Sequence, residues 1–153
     1  MIRTIKRRRR ERKTDYKARF ALLKSGKPRL VVRKTNKYLI AQVVETNLAQ
    51  DRVVYGVTSK QLLSQGWSEL KSGSLKSLKA AYQTGYLLGQ KMKGKVDELI
   101  LDTGMHRNIH KSRIYALLSG AVDAGLNIPH NKDVLPKIEE SKIEQKPRSK
   151  KEK

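Results

Sequence analysis

Two short apolar runs, residues 30–35 and 38–45, flank Asn36-Lys37, and no other feature narrows the possible folds as far. Successive side chains of a strand point to opposite faces, so a hairpin with a two-residue turn fixes which residues share a side. With Asn36 and Lys37 as the turn, Arg33 faces Ile40 and Val31 faces Gln42. Leu30, Val32, Leu39, Ala41 and Val43 then share one face with Lys34, an apolar core side. Val31, Arg33, Thr35, Tyr38, Ile40 and Gln42 share the other, which is mixed and half polar. A third run, residues 52–58, completes an antiparallel meander.

Residues 59–73 are rich in Ser, Gly and Lys and read as a loop, with Trp67 as their only large anchor. Ser74 is placed to cap a helix in which Leu75, Leu78, Tyr82, Gly85, Gly89 and Met92 recur at spacings of three and four. Gly85 and Gly89 lie on that stripe and would let the helix approach the sheet closely, each at about 1 kcal/mol relative to Ala. Gly94 stops the helix, and residues 96–101 read as a buried strand because Leu99-Ile100-Leu101 is continuously apolar. A polar loop, residues 102–111, leads to a second helix capped by Ser112 and lined by Ile114, Leu117, Leu118 and Ala121, with Gly125 at its stop. Pro129 and Pro136 bracket an irregular segment. The expected fold is α/β: a mixed sheet, made of a three-stranded antiparallel meander plus a further strand, with two packed helices and a basic N-terminal helical arm. Residues 1–25 form the arm, 26–136 the α/β domain, and 137–153 a charged, disordered tail.

Charge narrows the function. The first 24 residues hold eleven lysines and arginines against Glu11 and Asp15, and six of them are Arg7, Arg8, Arg9, Arg10, Arg12 and Lys13. A run that dense repels itself and folds stably only when a polyanion neutralises it. Phosphodiester backbone suits, because each Lys or Arg set against a phosphate releases condensed counterions. The arm feeds a helical stretch over residues 16–23, with Phe20 and Leu23 on an apolar side and Gly26 and Pro28 ending it. The formal net charge of the whole chain is +21, and residues 25–136 alone carry 17 basic and 8 acidic residues. Such an excess is more than solubility requires. The absence of cysteine removes disulfides, thiolate metal sites and cysteine nucleophiles, and fits a reducing compartment. No apolar stretch follows the basic cluster, so it is not a secretory signal, and no run approaches the roughly 18 apolar residues of a membrane span. A cytoplasmic protein without a membrane partner is expected.

Three constellations carry chemistry. Arg33, Tyr38 and Gln42 on one sheet face suit stacking on, and hydrogen bonding to, unpaired bases, whereas Asn36 and Lys37 are also what an ordinary polar turn would contain. The loop 102–113 follows a strand and opens a helix, where backbone amides bind anions, and Arg107, Lys111 and Arg113 reinforce that. Asp102, His106 and His110 could be read as metal ligands, but His-x-x-x-His suits zinc on a helix and this stretch is a loop. Catalysis has little support. There is no phosphate-binding Gly-x-x-x-x-Gly-Lys-Ser/Thr, no Gly-x-Ser-x-Gly and no His-Glu-x-x-His. A metal-dependent nuclease would have only Asp97, Asp102, His106 and His110, and carboxylates at alternate strand positions do not converge on an ion by themselves. Asp97 and Glu98 read as exposed acids and Asp102 as a loop acid. Neither enzymatic activity nor a cofactor is expected.

The stretch Lys24-Ser25-Gly26-Lys27-Pro28-Arg29-Leu30-Val31-Val32-Arg33-Lys34-Thr35-Asn36-Lys37-Tyr38, running into Ala41-Gln42-Val43, closely resembles the opening of the ribosomal protein L-eighteen family. Gly120-Ala121-Val122-Asp123-Ala124-Gly125-Leu126-Asn127-Ile128-Pro129-His130-Asn131 resembles the end of its archaeal and eukaryotic branch, whose eukaryotic members are called L-five. Ala81-Tyr82-Gln83-Thr84-Gly85-Tyr86-Leu87-Leu88-Gly89 also looks like that branch. The resemblance implies a non-catalytic protein of the large ribosomal subunit that binds 5S rRNA and attaches it to the large rRNA in the central protuberance. Its implied partners are those two RNAs and the companion 5S-binding ribosomal protein, and homo-oligomers are not expected. RNA contacts should then map to the arm (Arg7, Arg8, Arg9, Arg10, Arg12, Lys13, Tyr16, Arg19), to the hairpin and its approach (Lys27, Arg29, Arg33, Thr35, Asn36, Lys37, Tyr38, Gln42) and to the loop (His106, Arg107, His110, Lys111, Ser112, Arg113). One departure bears on the loop: the family usually has a glycine just before the second helix, where this chain has Lys111-Ser112. The alternative reading is a general structured-RNA-binding module outside the ribosome.

Overall fold

The computed structural model describes residues 4–47, 50–67, 73–96 and 98–138. The hairpin forms as its alternation requires. Strand β1 (Arg29–Lys34) pairs antiparallel with β2 (Leu39–Asn47), with Val31 opposite Gln42 and Arg33 opposite Ile40. Leu30, Val32, Leu39, Ala41 and Val43 are all fully buried. Thr35 closes the turn, its hydroxyl donating to the Tyr38 carbonyl at 2.7 Å and accepting from the Tyr38 amide at 2.9 Å. Strand β3 (Gln50–Thr58) extends the meander, with a register shift between Val43 and Val44. Strand β4 (Ile100–Asp102) joins β1 in parallel, so the order is β3-β2-β1-β4 and the sheet is mixed.

Strand β4 is shorter than the apolar run from residue 96 predicts. Leu99 lies outside the ladder: its amide donates to the Asn127 carbonyl at 3.0 Å and its side chain is 1% exposed. The run is buried partly by the segment after the last helix rather than by strand pairing alone. Residues 59–65 also differ from the loop expected, forming a 3-10 helix (Ser59–Gln65). Leu62, Trp67, Leu75 and Ala80 make a second small core there, and the indole N–H of Trp67 donates to the Gly73 carbonyl at 2.9 Å.

Two short helices precede the sheet, α1 (Arg7–Arg10) and α2 (Tyr16–Lys24). The arm thus has local structure of its own, aided by Glu11 between Arg7 at 3.7 Å and Lys13 at 2.9 Å. Asp15 caps α2 by accepting from the Lys17 and Ala18 amides. The expected apolar side of α2 is covered only in part: Leu23 is half-buried, Phe20 is 70% exposed and no residue of the helix is fully buried.

Helices α3 (Leu78–Met92) and α4 (Arg113–Asp123) pack on each other and on the sheet. The cap of α3 is Ser77, accepting from the Ala80 amide at 3.2 Å, and not Ser74. Its buried stripe is Ala80, Ala81, Thr84, Gly85, Leu88, Gly89 and Met92, whereas Leu78 is largely exposed. The two glycines serve a contact between helices, not the approach to the sheet that the stripe suggests. A Cβ on Gly85 would lie 1.9 Å from the Leu117 carbonyl oxygen, and one on Gly89 would lie 2.4 Å from the Ala124 Cβ. Helix α4 begins after Ser112, buries Ile114, Leu117, Leu118 and Ala121, and ends at Gly125. The Gly125 amide donates to the Val122 carbonyl and that of Leu126 to the Ala121 carbonyl, a Schellman closure that needs the left-handed backbone found at Gly125. Among the described residues no helix is long and apolar enough to cross a membrane. The expected tail lies almost wholly outside the described residues, as does Asp97.

Candidate nucleic-acid interface

Charge is concentrated where the arm and the loop after β4 come near the two ends of β1. A cleft of about 590 Å³ lies between them, lined by Arg8, Lys13 and Arg19 of the arm, Arg33 of β1, and Thr103, Gly104 and Met105 of the loop. A second cleft, of about 340 Å³, is lined by Lys34, His106, Arg107, Lys111, Ser112 and Arg113, with Leu78, Ile109 and Ile114 as apolar walls. It lies at the N-terminal end of α4, whose first-turn amides add positive potential to the four cationic side chains.

The arm's cations divide in two. Arg8 donates to the Thr14 hydroxyl, and Arg7 and Lys13 share Glu11. Arg9, Arg10 and Arg12 are exposed and make no side-chain hydrogen bond or ion pair among the described residues. Lys6 sits 4.6 Å over the Tyr16 ring, which is half-buried at the start of α2. Arg19 donates to Asp51 at 2.6 Å and ties α2 to the sheet.

The hairpin residues do not form one surface. Asn36 and Lys37 are exposed at the tip and line neither cleft. Tyr38, expected beside Arg33 and Gln42, instead packs against the Leu62, Trp67, Leu75 and Ala80 cluster, because chain alternation is lost at the turn. Gln42 is half-buried and lies over Gly56. Lys27 reaches Glu98 at 2.5 Å. Arg29 is only 2% exposed, with its guanidinium between Asp51 and Asp102 at 2.9 Å each, so it presents no face to a ligand. Arg33 is partly exposed, but its guanidinium donates to the Asp102 carboxylate, the Asp102 carbonyl and the Val32 carbonyl.

In the loop, His106 accepts the Lys34 amide hydrogen at Nε2, 3.0 Å away. Burial, followed by the Lys34 and Arg33 charges, lowers its pKa below the ordinary 6.5. The neutral ring is the form that can accept at Nε2. Arg107, His110 and Lys111 are exposed. Lys111 occupies the left-handed region at φ 57, a conformation that glycine takes most easily and that strains a lysine. The Ser112 hydroxyl makes no cap to its helix and is buried with no hydrogen-bond partner among the described residues.

Sequence reasoning missed Lys34 as a lining residue of the second cleft, and it missed Asp51 and Asp102 as anchors. Asp102 is the end of a strand and 6% exposed, not a loop acid. Its one sequence signal was a carboxylate placed directly after an apolar run, where an unpaired charge would be costly.

The family described as "Ribosomal large subunit proteins 60S L5, and 50S L18" matches residues 2–98. The chain belongs to that family. Similar proteins named large ribosomal subunit protein uL18 include one from Methanothermobacter thermautotrophicus, 46% identical over 90% of this chain and 69% of the relative. Another, from Aeropyrum pernix, is 45% identical over 90% of this chain and 64% of its own length. A third, from Korarchaeum cryptofilum, is 47% identical over 85% of this chain and 65% of its own length. The chain therefore spans about two thirds of these archaeal relatives. The family's members are structural, non-enzymatic components of the large ribosomal subunit.

Proposed function

We propose that this chain binds 5S rRNA and attaches it to the large rRNA in the central protuberance, alongside the companion 5S-binding ribosomal protein. The observation that carries the reading is the second cleft. There Lys34, Arg107, Lys111 and Arg113 surround the start of α4, a site shaped for phosphate oxygens rather than for catalysis. The free Arg9, Arg10 and Arg12 supply phosphate contacts from the arm, and Gln42, Asn36 and Lys37 supply polar groups for bases or sugars. Arg29 and Tyr38 do not act directly on RNA in this reading. The residue strings that resemble the archaeal and eukaryotic branch support the choice of 5S rRNA over other structured RNAs.

The test is a salt-titrated binding curve for 5S rRNA against a transfer RNA of comparable charge. A preference of about tenfold, or 1.4 kcal/mol, that survives at high salt is expected. Superimposed curves at every salt concentration would reduce the protein to a general structured-RNA binder.

A further inference from the structure

The arm and the loop after β4 are far apart in sequence, yet one continuous set of hydrogen bonds joins them, exposed at the Arg19–Asp51 end and buried at Arg29–Asp102. Arg19 of α2 donates to Asp51 Oδ2 at 2.6 Å. Asp51 Oδ1 accepts from the Thr46 hydroxyl at 2.8 Å and from Arg29 Nη2 at 2.9 Å. The other arm of the same guanidinium, Nη1, donates to Asp102 Oδ2 at 2.9 Å. Asp102 Oδ1 accepts from Arg33 Nη2 at 3.0 Å and from the Gly104 amide at 2.9 Å. Gly104 lies so close that a Cβ there would come within 2.8 Å of the Arg33 guanidinium carbon.

We propose that Arg29 is a positioning residue: with Asp51 and Asp102 it forms a strut, buried at Arg29 and Asp102, that holds the arm helix and the 103–111 loop at a fixed separation, so that the two basic clefts engage RNA as one unit. The proposal rests on the RNA-binding reading above. Three features support it. The planar guanidinium holds two carboxylates in fixed directions, which a lysine ammonium cannot do. The strut touches α2, β1, β3, β4 and the loop, and its centre, Arg29 with Asp102, is buried. It is also a poor device for stability alone, since Arg29 Nε is buried with no hydrogen-bond partner among the described residues, and well-packed apolar side chains commonly stabilise as much as a buried ion pair. Its geometry is better suited to fixing positions.

The first test needs no RNA. The chain has no cysteine, so Lys17→Cys with Asn108→Cys admits a pair of spin labels, one on the arm helix and one on the loop. A narrow distance distribution is expected in the parent, and a clearly broader one after Arg29→Lys or Asp51→Asn, with cooperative thermal unfolding retained. Asp51→Asn cuts only the partly exposed end of the strut, so it remains informative if the Arg29 variant does not fold. An unchanged distribution in Asp51→Asn, or a broad one in the parent, would overturn the strut.

The second test is a coupling cycle on 5S rRNA and transfer RNA. Arg9→Gln with Arg10→Gln removes arm charge, and Arg107→Gln with Lys111→Gln removes loop charge. In the parent the combined loss should depart from the product of the separate losses by about threefold or more. In Asp51→Asn the two losses should become independent. Coupling that persists in Asp51→Asn, or is absent from the parent, counts against the strut. Equal affinity for the two RNAs would instead defeat the 5S assignment, and the label distances would still decide the strut.

Discussion

Gly85 of α3 and Gly120 of α4 stand against each other's helix backbone. A Cβ on Gly85 would be 1.9 Å from the Leu117 carbonyl oxygen, and one on Gly120 would be 2.0 Å from the Tyr82 carbonyl oxygen. Neither position has room for a methyl group unless the helices separate. Gly85→Ala and Gly120→Ala should each destabilise the domain by about 3 kcal/mol or more, despite a gain of about 1 kcal/mol in helix propensity. Urea unfolding checks this, and a neutral or stabilised variant would disprove the close contact.

Removing Arg29 leaves Asp102 buried with only Arg33 as its ionic partner among the described residues. Arg29→Met should cost about 3–5 kcal/mol in unfolding free energy. Arg29→Met combined with Asp102→Asn should recover part of that loss, because no buried charge is then left short of a partner. Denaturant midpoints at constant slope would measure both.

Acid should loosen the arm. Burial raises the Asp51 pKa, but hydrogen bonds from Arg19, Thr46 and Arg29 and the Arg29 charge outweigh it and hold the group below its ordinary 3.8. A folded pKa below the unfolded one gives stability that is complete above 3.8 and is lost as pH falls toward the lower folded value. The fall in stability below about pH 4 should therefore be shallower in Asp51→Asn than in the parent.

His106 titrates in a second window. Its folded pKa also lies below its unfolded one, so the unfolded chain takes up the proton first, and stability falls as pH drops below the ordinary value of 6.5. Protonated Nε2 cannot accept the Lys34 amide hydrogen. Hydrogen exchange at the Lys34 amide should quicken, beyond the intrinsic change with pH, as His106 gains its proton. His106→Gln should remove that dependence, and an amide equally protected on both sides of the titration would count against it.

Lys111 separates folding from binding. Relief of its left-handed backbone should make Lys111→Gly more stable by up to about 1 kcal/mol, while the loss of a cleft cation should weaken RNA binding and reduce its salt slope by about 0.7–0.9. Thermal unfolding and salt-titrated binding on the same sample give the two signs. A loss of stability would mean that the lysine stem packs where the backbone strain suggests it should not.

The hairpin was legible because alternation and turn are local: Val31 opposite Gln42 follows from two adjacent runs and one turn. The second helix was legible for the same reason, its large apolar residues repeating at helical spacing and Gly125 marking its end. The stripe of α3 was misjudged because Ala80, Ala81 and Thr84 are small, and a periodicity that weights large side chains picked Leu78 and Tyr82 instead. Small residues were the signal for a helix partner, and nothing nearby named that partner as α4. Arg29 read as one more cation in a basic stretch. Its partners, Asp51 and Asp102, lie 22 and 73 residues further along, and no local pattern links them. Tyr38 illustrates the limit of alternation, which ends where the ladder ends.

The parallel pairing of β1 with β4 also has a consequence for the order of synthesis. The ribosome makes the cationic arm before the sheet, whereas Asp102, the acid on the edge strand β4, is made long after β1. Until then Arg29 lacks one of its two carboxylates and β1 lacks one of its two neighbours. A nascent chain therefore exposes its polycation before the acids that anchor it exist, and any polyanion it meets in that interval reaches the arm before the fold is closed.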